Sequence, residues 1–167
     1  MKIRTTGLQL SEDFYRSDIQ PILADAYPRL RHAAALMGRG SEVLGFDDEM
    51  STDHDWSAKV IVFVDTVDAD QVEAVQHELR AVMPSTFNEV PTGLDVTTVA
   101  GYFQRELGLN VSDQWDAYDW LSLPEHRLCA VTSGGVFHDE VGLNTVRERL
   151  NYYPRDVWLF TVPTEHD

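Results

Sequence analysis

Apolar residues along this chain recur at helical spacing in some stretches and run nearly continuously in others. Tyr15, Ile19, Ile22, Leu23 and Ala26 fall on one helical face. They predict a first helix that starts from a cap at Ser11, with Glu12 and Asp13 complementing its dipole. Pro21 predicts a kink in that helix, and Pro28 follows its end. His32 to Gly38, "HAAALMG", is short and apolar enough for a buried strand. Lys59 to Val67, "KVIVFVDTV", is the clearest strand, β-branched and without the alternation that one wet face would impose. A helix opening at Asp68 or Asp70 carries Val72, Val75, Leu79 and Val82 on one stripe and stops at Pro84. "TGLDVTTV", Thr92 to Val99, reads as a third strand with Asp95 between Leu94 and Val96. The remainder reads as mostly helical. Tyr102, Phe103 and Leu107 mark one helix, and Trp115, Trp120 and Leu121 another. Leu128, Val131 and Val136 continue the core up to a glycine pair, and His138-Asp139 reads as a helix-ending loop. Val146, Leu150 and Tyr153 form a last helical stripe. Strands carrying helices, with more helices appended at one end, make an α/β or α+β architecture.

Composition narrows the function classes. The 167 residues suit one domain with a single real core. With 28 acidic against 13 basic residues, the formal net charge is −15. Such a chain is repelled by phosphate backbones and anionic bilayers, so neither nucleic acid nor membrane is expected as a partner. It attracts metal ions and cationic small molecules instead. A lone Cys129, no secretory leader and no membrane-length apolar run make a cytoplasmic location the expectation.

Candidate chemistry concentrates between the first two strands. Six carboxylates occupy the fourteen residues from Glu42 to Asp55, just before an apolar run. Gly40-Ser41 follows a strand and Ser41 would cap the short helix "EVLGF", a junction whose free N–H groups suit an anion. Asp53 and Asp55, at i and i+2 of a strand, would project from one face with His54 pointing the other way. Two such carboxylates need a cation between them. All-oxygen ligation suits Mg²⁺ with substrate phosphates, and Asp95 on the next strand would add a third carboxylate. A phosphate cradle beside a carboxylate triad outlines a phosphoryl- or nucleotidyl-transfer site, with two metal ions about 3.5–4 Å apart.

Gly-Ser, an eleven-residue spacer and Asp-x-Asp together resemble the signature of the nucleotidyltransferase-fold superfamily. Its members include DNA polymerase β, the nucleotidyltransferases that inactivate aminoglycosides, and minimal nucleotidyltransferases paired with helical toxins. The longer runs "GSEVLGFDDEMSTDHDW", "DWLSLPEHRL", "GGVFHD" and "RERLNYYPRDVW" resemble a bacterial branch described as a domain of unknown function, DUF4037. The resemblance implies a small mixed β-sheet flanked by helices, over residues 1–110, with a helical extension over 111–167 packed as part of one unit. It implies Asp53 and Asp55 as ligands of two Mg²⁺ ions, Asp95 as third ligand or general base, and Gly40 and Ser41 as contacts of a nucleoside triphosphate. The implied reaction is attack of an acceptor hydroxyl on the α-phosphorus, transferring a nucleoside monophosphate such as AMP from ATP or another NTP. Arg39 stands where the superfamily usually has an apolar residue, and is either a further phosphate contact or exposed.

Alternatives stand beside each assignment. Asp53 and Asp55 would otherwise be an exposed acidic turn, and Gly40-Ser41 an ordinary cap. Asp65 is the rival third acid, toward the far end of its strand, while Asp47, Asp48 and Glu49 read as solvated. Arg147, Arg149 and Arg155 would grip a triphosphate, balance buried acids or form plain surface salt bridges. Beside a nucleotidyltransferase acting on a small molecule or protein stand two other classes. One is a nucleotide-binding regulatory module without turnover, suggested by a helical region that stops soon after Trp158. The other is an interaction protein with a helical partner or a second copy of itself.

Overall fold

The computed structural model describes residues 5–38, 57–151 and 157. Helix α1, Gly7–Phe14, starts from Thr6, whose hydroxyl accepts a hydrogen bond from the Gln9 N–H at 3.1 Å. The expected cap, Ser11, lies inside this helix, fully buried, and its Oγ accepts from the Lys59 N–H. The chain then widens into a π-helical turn, Tyr15–Ile19, before α2, Gln20–Ala26. Pro21 sits in the first turn of α2, where its missing N–H costs least, and the π turn accommodates it in place of a sharp kink.

The sheet has five strands among the described residues: β1 His32–Leu36, β2 Ala58–Val64, β3 Thr86–Phe87, β4 Val90–Thr98 and β5 Gly135–Asp139. Their spatial order is β3-β4-β2-β1-β5. β2 and β4 are parallel, and the other neighbours are antiparallel. The parallel pair is connected by a 3₁₀ turn, Thr66–Gln71, and helix α3, Val72–Val82, as a parallel connection requires. After β4 come α4 Val99–Leu107, α5 Ala117–Ser122 and α6 Glu125–Thr132; α7, Leu143–Leu150, follows β5. The fold is therefore α+β, a mixed sheet covered by helices on both faces.

Strand alternation divides the core in two. Ala34, Leu36, Val60, Val62, Leu94 and Val96 face α1, α2 and α3. Ala33, Ala35 and Phe63 face the later helices, meeting Tyr102, Phe103, Trp120, Val131 and Leu143. The helices after residue 110 thus complete the second face of the sheet. The continuous apolar character of "KVIVFV" follows from this double coverage, with Lys59 the exposed exception.

β5 corrects the reading of residues 133–139 as the end of a helical run. Gly134 takes a left-handed φ of +89° and turns the chain out of α6 into a strand pairing with β1. A register shift between Ala34 and Ala35 sets Ala34 opposite His138 and Ala35 opposite Val136.

Candidate functional site

The antiparallel register of β1 and β2 sets Ala35 opposite Ile61 and His32 opposite Val64. Counting on, Gly38 after β1 and Ala58 at the start of β2 lie at the same end of the sheet. Gly38 adopts φ +112° and donates its N–H to the Ala130 carbonyl at 3.1 Å, which ties this end to α6. Ser57, on the other side, is buried. The connection carrying the Gly-Ser and Asp-x-Asp motifs therefore leaves and returns at one sheet end. Arg39, Gly40, Ser41, Asp53 and Asp55 themselves lie outside the described residues, as do "EVLGF", Asp47, Asp48, Glu49, His54 and Arg155.

Asp95 is on β4, opposite Ile61, three positions beyond the Ala58–Thr92 pair, or about 10 Å at the strand rise. Leu94 and Val96 belong to the first core, so Asp95 shares the face of Ile61 and Phe63. Arg105 on α4 donates to its Oδ2 at 2.9 Å, with both side chains partly exposed. The Arg105 guanidinium also lies 5.4 Å from the centre of the Tyr102 ring. Burial pushes the Tyr102 hydroxyl up to about 12; Glu106 and Asp95 add to the rise, and Arg105 and Arg147 oppose it. Asp65 follows β2 at the opposite sheet end, where it pairs with Arg31 at 3.2 Å.

Within the helical layer that covers this face lies a cavity of about 490 Å³ lined by Ser112, Asp113, Trp115, Asp116, Trp120 and Arg149, among others. Trp115 and Trp120 meet edge to face at 5.0 Å. Arg149 lies 5.8 Å from the Trp115 ring centre and donates to the Val111 carbonyl. Arg147 does something else: its Nη2 bonds the carbonyls of Thr132 and Ser133 at 2.9 and 3.0 Å, satisfying the C-terminal end of α6. Burial holds its pKa below the ordinary guanidinium value, with Tyr102 acting the other way. It is a structural cation and not a surface ion pair.

One constellation escaped the sequence. His32 at the start of β1, His138 on β5 and Glu140 just after it bring one ligand atom each within 4.8 Å of one another. The His138 Nε2 approaches Glu140 Oε2 at 3.1 Å, and the His32 Nδ1 approaches it at 3.7 Å. His32 is 8% exposed, and its other nitrogen, Nε2, lies 2.7 Å from the Tyr15 hydroxyl. Burial lowers the His32 pKa and His138 lowers it further, against Glu140 and the Leu30 carbonyl. Asp139, between the two, turns away to serve α7. Only the β1–β5 pairing assembles this group, and that pairing joins residues about a hundred apart in sequence.

Comparison with known proteins gives one result. A family model, Domain of unknown function (DUF4037), matches residues 120–166, from α5 onward and under a third of the chain. No curated protein and no solved structure matches. No helix among the described residues is long and apolar enough to cross a membrane.

Proposed function

We propose that the chain is a Mg²⁺-dependent nucleotidyltransferase, moving a nucleoside monophosphate, AMP in the first instance, onto a hydroxyl of a small molecule or protein. One observation supports this most: the β1–β2 pairing returns a connection bearing Gly40-Ser41 and Asp53-x-Asp55 to a single sheet end. Asp95, on the neighbouring strand β4, shares the sheet face of Ile61 and Phe63. Asp53 and Asp55 would hold the metal with Asp95 as third acid, an all-oxygen set that fits Mg²⁺. Gly40 and Ser41 would bind the triphosphate, and Arg39 would add a cation to that grip. Bound Mg²⁺ supplies charge neutralisation at the attacking and leaving oxygens. The acceptor oxygen forms a bond to the α-phosphorus, the bond to pyrophosphate breaks, and the acceptor proton passes to a carboxylate, with Asp95 the candidate base. Trp115 and Arg149, in the 490 Å³ cavity within the helical layer over that face, would take the base or the acceptor. The charge of −15 favours a cationic acceptor over nucleic acid.

The Arg105 bond to Asp95 favours a second reading, nucleotide binding without turnover, because that carboxylate already has a cation. Thermal unfolding with ATP and Mg²⁺ or Mn²⁺, run beside transfer of α-labelled nucleotide to candidate acceptors, separates the two. Transferase activity predicts nucleotide-dependent stabilisation and labelled product, with product lost in Asp53→Asn and Asp95→Asn. The binding module predicts stabilisation that survives Asp95→Asn, with no product from either protein. Absence of nucleotide binding with both metals removes both readings.

A further inference from the structure

We propose that His32, His138 and Glu140 form a binding site for a zinc ion, at the end of the sheet opposite the Gly-Ser and Asp-x-Asp connection. The distances support it. Tetrahedral zinc with bonds of about 2.0–2.2 Å holds its ligand atoms roughly 3.3 Å apart. The two spacings here, 3.1 and 3.7 Å, bracket that value. With all three atoms within 4.8 Å, closure on the ion needs side-chain movement of at most about 1.5 Å.

Proton bookkeeping supports it as well. Among the described residues, the buried His32 Nδ1 and His138 Nε2 have only the Glu140 carboxylate close by, with no well-formed hydrogen bond to another group. The His138 Nε2 lies 3.1 Å from the Glu140 carboxylate and is the main cause that holds that carboxyl below its ordinary range. With its proton on Nε2, His32 donates to the Tyr15 oxygen 2.7 Å away and presents the Nδ1 lone pair to Glu140. That tautomer turns a bare Nδ1 lone pair toward a carboxylate, an arrangement that repels unless a cation lies between. It is also how metal-binding histidines are oriented, with the second nitrogen donating to a fixed partner. The nearby guanidinium groups do not take the cation's place. Arg31 bonds the Asp65 carboxylate and the Glu140 carbonyl, and Arg16 bonds Glu12 and the Phe137 carbonyl.

Two imidazoles and a carboxylate are a borderline donor set that selects zinc over Mg²⁺. Three protein ligands leave one coordination position for water or a further ligand. The three side chains line a cavity of about 200 Å³ together with Gln20, Ala24 and Tyr27, and that position would face it.

The test is calorimetric titration of chelator-treated, tag-free full-length protein with Zn²⁺ in excess Mg²⁺. One equivalent is expected to bind. His138→Ala and Glu140→Gln, both at partly exposed side chains, should each weaken binding at least tenfold while the metal-free far-ultraviolet spectrum is unchanged. The double variant Asp53→Asn/Asp55→Asn should keep the site, so this proposal and the nucleotidyltransferase reading fail separately. In the wild-type protein, NMR should show Zn²⁺ perturbing the ring signals of His32 and His138 and leaving those of His77 and His126 in place. Absence of zinc binding, affinity unmoved by both substitutions, or perturbation confined to other histidines would overturn the site.

Discussion

At single positions, a few side chains hold far more than their size suggests. Asp139 accepts backbone N–H bonds from Val141, Gly142, Leu143 and Asn144 at 2.8 to 3.1 Å, covering the exposed donors at the start of α7. Burial works to raise its pKa, but these donors outweigh it and hold the carboxyl below its ordinary 3.8. A carboxylate depressed in the folded state stabilises the protein above its unfolded-state pKa, and that stability is lost as pH falls through the folded value. Asp139→Ala is therefore expected to cost about 1–2 kcal/mol at pH 7, as lost caps do. The gap from wild type should narrow by about pH 3. Urea denaturation at the two pH values checks both parts. Neither this role nor that of Ser11 could be read from the sequence. Each depends on which strand or helix the side chain meets, and spacing alone made Ser11 a cap and Asp139 part of a loop.

Among the elements, β1, β2, α3, β4 and α4 were legible from their apolar patterns, with Gly38, Pro84 and Gly108 marking the ends of β1, α3 and α4. β5 was not. Its five residues begin at the second of two glycines, only Phe137 among them is buried, and the strand exists because β1 offers it an edge. The candidate metal-binding histidines were lost with it, whereas Gly40-Ser41 and Asp53-x-Asp55 were visible as a local motif. The described residues add where that motif's connection begins and ends. The link between β4 and α4 bears on Asp95 directly. Its ion pair with Arg105 is half exposed, and such pairs contribute about 0–1 kcal/mol. Arg105→Met should thus shift the urea midpoint by less than about 1 kcal/mol equivalent while freeing the Asp95 carboxylate. Under the transferase reading, labelled-nucleotide turnover changes where stability does not. A large loss of stability would instead make the pair structural.

For the molecule as a whole, the charge of −15 sets the response to its surroundings. Self-repulsion among the acids opposes the compact state, and salt screens it. Raising sodium chloride from about 20 to about 500 mM should stabilise the fold by ~1 kcal/mol, or about 2–4 °C at this size. A calorimetric scan showing no rise would mean the acids are already balanced locally. The order of the strands also shapes how the chain is made. β1 is an interior strand, yet its partner β5 leaves the ribosome about a hundred residues after it. At about 5–20 residues per second, one rim of β1 stays bare for roughly 5–20 s of synthesis. Through that interval Ala33 to Leu36 offer unpaired amides to any other nascent strand, so the hazard of mispairing during synthesis lies in the first quarter of this protein.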